Sequence, residues 1–188
     1  MKKLLFSLLA CMAFMPAISQ LTTLSDAELS FGLETAFPRG EMAKKYNTGI
    51  GGSAKFAYNF TDKALALTFQ AGAINFSGKA LDSNNVSGLN KTNFAPMLSI
   101  PVKIGARFTF ARFIYAEPQL GATVFLSESL EGAATSEAAF TWAFNLGFHT
   151  RPGIDIGARY ESSSTEVATS FIGLRITYAF TFRRQEIY

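Results

Sequence analysis

From Ile172 to Phe182 every second residue is large and apolar: Ile172, Leu174, Ile176, Tyr178, Phe180 and Phe182. The residues between them are Gly173, Arg175, Thr177, Ala179 and Thr181. A period of two is the signature of a β-strand with one oily and one wet face. The same two-phase pattern recurs in seven earlier segments, predicting strands at about 28–37, 48–60, 64–75, 95–109, 113–126, 138–149, 153–162 and 168–182. Short turns follow the second, fourth and sixth segments, at Thr61-Asp62-Lys63, Phe110-Ala111-Arg112 and Thr150-Arg151-Pro152. Longer connections span Pro38 to Asn47, Phe76 to Phe94 and Ser127 to Glu137, with a briefer one near Ser163 to Val167. Eight strands suffice to close a small barrel. The expected fold is therefore all-β: an eight-stranded antiparallel up-and-down β-barrel with both termini at the rim of short turns.

Which phase faces outward decides the class of protein. The apolar phase collects Leu29, Phe31, Leu33, Ile50, Phe56, Leu67, Phe69, Ile104, Leu120, Trp142, Phe144, Leu146 and Ile156, among others, and carries no charge. The opposite phase holds the acids Glu28, Glu34, Glu117, Asp155 and Glu161 and the bases Lys55, Lys103, Arg107, Arg159 and Arg175. A basic side chain on the lipid face at the bilayer midplane costs about 2–4 kcal/mol. In a transmembrane barrel these charges must therefore point inward. Equal numbers of each sign suit the pairing that buried charges require. A soluble lipocalin-like ligand carrier would reverse the phases. Against that, the apolar set is too bulky for the hollow of eight strands, the charged phase is rich in Gly and Ala, and aromatics recur at strand ends as interfacial girdles do. The expected lumen network is Glu34, Lys55, Lys103, Arg107, Glu117, Asp155, Arg159, Glu161 and Arg175. Pro101 and Pro118 fall inside the fourth and fifth strands, where each removes a ladder donor. They are expected at bulges or near a rim.

Composition fits an exported chain. Lys2 and Lys3 precede an apolar run from Leu4 to Met15, and Ala17-Ile18-Ser19 supplies the small residues of a cleavage site. Residues 1–19 are expected to be a signal peptide cut after Ser19, leaving residues 20–188 as the barrel domain. Its removal takes away the only cysteine, Cys11, and lowers the formal charge from +3 by two lysines to +1, so the basic pI implies no nucleic-acid partner. Charged residues make up 16% of the chain and aromatics 14%, oily for a soluble domain, where about 25% are charged.

Catalytic chemistry is sparse. His149 is the single histidine, too few for a zinc site, and it falls at a short-turn rim away from the loops where a lipid-modifying triad would open. No cofactor, metal or catalytic residue is expected. Glu117, Asp155 and Glu161 each have bases on their own phase, which favours paired structural charges over acid–base catalysis. A narrow solute pore remains the alternative if the charges line a continuous gap. Lys44, Lys45 and Lys91 in the long loops read as solvated loop residues, with contact to anionic phosphates as the alternative.

Several segments, Leu98-Ser-Ile-Pro-Val-Lys-Ile-Gly-Ala-Arg107, Tyr115-Ala-Glu-Pro-Gln-Leu-Gly121, Ile154-Asp-Ile-Gly-Ala-Arg-Tyr160 and Gly173-Leu-Arg-Ile-Thr-Tyr-Ala-Phe180, resemble the small outer-membrane β-barrel family of Gram-negative bacteria. The resemblance is to the OmpA/OmpX-like eight-stranded type, and especially to stand-alone barrels of Bacteroidetes. It covers nearly all of residues 20–188 through architectural motifs. The resemblance implies insertion by the barrel-assembly machinery, with Tyr178, Phe180 and Phe182 or the terminal Tyr188 as the aromatic signal. It also implies contact with outer-membrane lipid and lipopolysaccharide. The function it implies is structural, or recognition of an extracellular ligand through the loops as in adhesion, reception or envelope assembly.

Overall fold

The computed structural model describes residues 27–60, 64–80, 94–111, 113–128, 134–150, 153–164 and 169–182. The expected signal peptide, Lys91 and residues 183–188 lie outside the described residues. Eight strands, β1 (Ala27–Arg39), β2 (Tyr46–Asn59), β3 (Leu65–Gly78), β4 (Met97–Ala111), β5 (Ile114–Glu128), β6 (Ala134–His149), β7 (Ile154–Ser164) and β8 (Thr169–Phe182), close into one barrel. Each pairs antiparallel with the next, and β8 returns to β1 through Ala27↔Phe182 to Arg39↔Ser170. Among the described residues no helix is long and apolar enough to cross a membrane; the strands are the elements long enough to do so.

The register fixes the barrel's dimensions. Stepping across paired residues from Leu29 leads through Phe56, Phe69, Ile104, Leu120, Trp142, Ser162 and Ser170 to Arg39. One circuit therefore advances ten residues along β1, from 29 to 39. With about 3.3 Å per residue and about 4.8 Å between strands, this stagger gives a strand tilt of about 41° and a backbone radius of about 8 Å. Such an interior holds side chains and little else.

The first long connection is not an open loop. β1 runs to Arg39, a short helix α1 (Gly40–Lys45) follows, and β2 begins at Tyr46. Gly40 takes φ +56°, a left-handed turn that glycine adopts without penalty, and Met42 is buried beneath the helix. The strands also extend beyond their expected ends, to Gly78 in β3 and to Glu128 and Ala134 in β5 and β6. Apart from Phe76, whose ring faces inward, these ends are polar or small, so hydropathy alone does not register them.

Neither proline sits at a bulge. Pro101 and Pro118 are each the fifth residue of their strand. On the β3–β4 side two rungs are missing between Ala71↔Val102 and Ile74↔Ser99, without a change of register. On the β4–β5 side two rungs are missing between Gly105↔Gln119 and Phe108↔Ala116, again in constant register. Each proline remains paired on its other flank, as Pro101↔Thr123 and Pro118↔Phe144. A missing N–H faces one neighbour only, so a closed barrel accommodates it as a local gap. Register shifts occur elsewhere, at Tyr46/Gly49 and Thr109/Ala111.

Side chains sort by phase. The exposed outer face carries Phe31, Leu33, Ile50, Leu67, Phe69, Ile104, Leu120, Trp142, Phe144, Ile156, Leu174, Ile176 and Phe180. An exterior this apolar has no soluble counterpart, since monomeric soluble proteins rarely expose a contiguous apolar patch beyond a few hundred Å². Because the apolar phase faces out, the reversed-phase ligand carrier is excluded.

Candidate functional site

The inward phase fills the barrel in tiers. Nearest the short-turn rim, Glu117 receives Lys55 Nζ at 3.2 Å and Arg107 Nε at 3.4 Å. It also accepts hydrogen bonds from Thr68 Oγ1 at 2.9 Å and Gln119 Nε2 at 2.6 Å. Asp155 lies 3.5 Å from Arg175, 3.9 Å from Arg107 and 4.0 Å from Lys55. Arg107 also reaches Glu28 at 3.3 Å. A second group lies toward the loops. Arg159 holds Glu34 through Nη2 at 2.8 Å and comes within 3.1 Å of Glu161, which Lys103 also contacts. Ser53 and Gln70 donate to Glu34 at 2.6 and 3.1 Å. Each of the five bases lies within 4.0 Å of at least one of the five acids, so the lumen charge sums to zero.

Two kinds of residue that charge counting overlooks link these groups. Gln70 donates to Glu34 and accepts from Gln119 Nε2 at 3.0 Å and Arg175 Nη1 at 3.1 Å, bridging the tiers. Tyr115, 1% exposed, donates its hydroxyl to Asp155 Oδ1 at 2.7 Å and accepts from Arg175 Nη2 at 3.1 Å. Its ring lies under the Arg107 guanidinium at 4.7 Å and Lys55 Nζ at 5.4 Å, a cation–π arrangement favoured by low dielectric. The ring has room because Tyr115 pairs with Gly147 and Gly147 with Gly157. A Cβ at Gly147 would stand 2.6 Å from ring carbon Cε1. Period two places Tyr115, Gln70, Gln119, Thr68 and Ser53 on the inward phase; their roles depend on contacts between distant strands.

His149 sits at the turn rim, its Nδ1 3.8 Å from Asp155 Oδ2, and that nitrogen has no hydrogen-bond partner. No cluster of three or more metal-ligating side chains occurs among the described residues.

Above the charges a row of hydroxyls, Thr123–Thr141–Ser163, is joined by hydrogen bonds of 2.7 Å each. On the other strands the inward phase turns apolar at the same height and stays so toward the loops. Ile74, Phe76, Met97, Phe125 and Phe171 form a cluster closed by Met42 of α1. Phe76 and Phe171 stack at 5.8 Å, and the Arg159 guanidinium lies 5.5 Å from the Phe171 ring. Lys79 Nζ donates to the Ala43 carbonyl at 2.6 Å, tying α1 to the end of β3. A cavity of about 220 Å³ opens above this cap, lined by Met42, Met97, Phe125, Tyr46, Lys45 and Glu137 among others.

A family model described as an outer membrane protein beta-barrel domain matches residues 4–180. Among solved structures the chain is similar to Ail, the attachment invasion locus protein of Yersinia pestis, at 16% identity and TM-score 0.58. That match covers 84% of this chain and 99% of that one. The complex of Ail with the heparin analogue sucrose octasulfate matches at 15% identity and TM-score 0.57, with the same coverage. The N-terminal β-barrel domain of Pseudomonas aeruginosa OprF matches at 12% identity and TM-score 0.53, over 84% of this chain and 98% of that one. No curated protein matches the chain.

Proposed function

Because the chain belongs to the outer membrane protein β-barrel family, we propose that it is a non-enzymatic outer-membrane barrel whose lumen is plugged and which acts through its loop rim. The observation that carries the reading is the interior itself. Ten charges pair within a backbone radius of about 8 Å, and an aromatic cap stands between them and the loops. A narrow solute pore would need unpaired charges along an open path. The long-connection rim is the extracellular one in this reading, following the usual asymmetry of short periplasmic turns and longer outer loops. Residues 1–19 act as the cleaved export signal, and the barrel-assembly machinery inserts residues 20–188. Arg39, Lys44 and Lys45 at the loop rim face lipopolysaccharide phosphates or an anionic extracellular ligand.

Planar-bilayer recording tests the plug. The refolded protein should give no reproducible unitary current. Steady single-channel conductance whose ion selectivity changes in Arg175→Glu would refute it in favour of the narrow pore.

A further inference from the structure

We propose that the apolar belt is cut obliquely, so that the barrel leans about 20° in the bilayer and seats the upper β4–β6 wall in outer-leaflet acyl chains. The inference rests on the outer-membrane reading and on the register. In a barrel tilted by about 41°, each residue rises about 2.5 Å along the axis and each step between paired strands about 3.1 Å. Taking Leu29 as zero, the outermost apolar side chains toward the loops are Leu98 at about 24 Å, Leu126 at about 28 Å and Ala138 at about 26 Å. On the other five strands the outer face turns polar sooner. Its last apolar residues, Tyr160, Ile172, Phe37, Ile50 and Ala73, lie at only about 14–20 Å. Beyond them come Ser162, Ser170, Arg39, Thr48 and Asn75.

The short-turn end is offset in the same sense. Phe182 on β8, Phe60 beyond β2 and Phe110 on β4 reach to about −8, −7 and −6 Å, whereas Ile114, Phe148 and Ile154 on β5, β6 and β7 stop at about −2, +1 and −1 Å. The loop-side boundary is thus displaced by about 9 Å and the short-turn boundary by about 6 Å from one side of the barrel to the other. Across an outer diameter of about 24 Å the loop-side displacement is a slope of about 20°. An upright barrel would hold Leu126, Leu98 and Ala138 in the headgroup region while the opposite wall sank its serines into hydrocarbon. As far as Leu126, the upper β4–β6 wall is continuous with the belt and uncharged on its outer face, which matches acyl chains. The adjoining groove, lined by Asn75, Pro96, Leu98, Leu126 and Ser136, has only amides and hydroxyls at its upper edge.

Spin-label depth measurements test the lean in vesicles of dimyristoylphosphatidylcholine, on the whole chain with Cys11→Ser. Labels at Ala138→Cys on β6 and Arg39→Cys on β1 stand at nearly equal heights on opposite walls, about 26 and 25 Å. The expected result is a severalfold higher ratio of oxygen to nickel-complex accessibility at 138 than at 39. A second pair, Leu126→Cys and Thr48→Cys, should show 126 the deeper, although it stands about 5 Å higher on the barrel axis. A label at Leu120→Cys, in mid-belt, separates the two readings. If 120 is in lipid while 138 and 39 report equal depth, or 126 is water-exposed, the lean is wrong. If 120 is itself aqueous, the membrane reading fails with it.

Discussion

Replacing Glu117 by alanine should unfold the lower half of the lumen network. Glu117 is fully buried and is the nearest counter-ion of Lys55, at 3.2 Å, with Asp155 next at 4.0 Å. It also accepts from Thr68 and Gln119. Its removal leaves a buried ammonium with one distant partner and takes an acceptor from Thr68, Gln119 and Arg107. Breaking a buried pair by deleting one member costs about 3–5 kcal/mol, a large share of the typical 5–15 kcal/mol of a folded domain. Lys55→Met should cost a similar amount. The double variant should be less destabilised than the sum of the two by about 2 kcal/mol, since the unpaired charge that each single variant leaves is then gone. Urea unfolding in detergent micelles measures this through the heat-modifiable gel shift and through Trp142, the only tryptophan, which lies on the outer face. A midpoint for Glu117→Ala indistinguishable from wild type would refute the reasoning. It would mean that water enters the lumen and screens Lys55, which also undermines the plug.

Three further outcomes follow from separate parts of the barrel. Gly147→Ala should destabilise by about 1–3 kcal/mol because its methyl meets the Tyr115 ring. Gly173→Ala, where the nearest atom is 3.4 Å away, should change the unfolding midpoint little; equal effects would show that space at Tyr115 is not the determinant. Leu120→Arg, in mid-belt, should cost about 2–4 kcal/mol in phospholipid vesicles, and a neutral effect there would contradict a lipid-facing β5. Phe76→Ala should lose about 3–5 kcal/mol by opening a cavity under α1, and an unchanged urea midpoint would show that the cap adds nothing to stability.

Strand number, strand order and the outward phase were legible because a period of two is local and each segment repeats it independently. The ten alternating charges from Glu28 to Arg175 could be assigned to one face for the same reason. What the sequence did not carry was pairing across the lumen. Glu34 meets Arg159, 125 residues away, and Gln70 meets Arg175, 105 residues away; only the ten-residue stagger brings such residues together. Neutral members such as Tyr115 and Gln119 leave no charge signature. The change of the inward phase to Ile74, Phe76, Phe125 and Phe171 near the loops reads in sequence as a strand losing its alternation. In fact it is the same phase in a different tier. Pro101 and Pro118 do lie inside β4 and β5 as expected, but without bulges: a closed barrel gives each residue two neighbours, and a proline interrupts the ladder with only one.

The order of the tiers has a physical logic that bears on the plug. Ion pairs placed directly against the aromatic cap would have some of their hydrogen-bonding positions facing hydrocarbon, where an unmade hydrogen bond costs about 1–3 kcal/mol. On β5–β7 the Thr123–Thr141–Ser163 row lies above the charges, beside the lower edge of the cap, and can give or accept hydrogen bonds in either direction. Between β7 and β8 the charges meet the cap directly: the Arg159 guanidinium lies near the Phe171 ring, and guanidinium is among the more weakly hydrated cations. In the plugged reading proposed above, the cap of Phe76, Phe171 and Met42 stands between the ion pairs and the loop end, and the hydroxyls of β5–β7 and the Arg159 guanidinium supply the transition from charge to hydrocarbon.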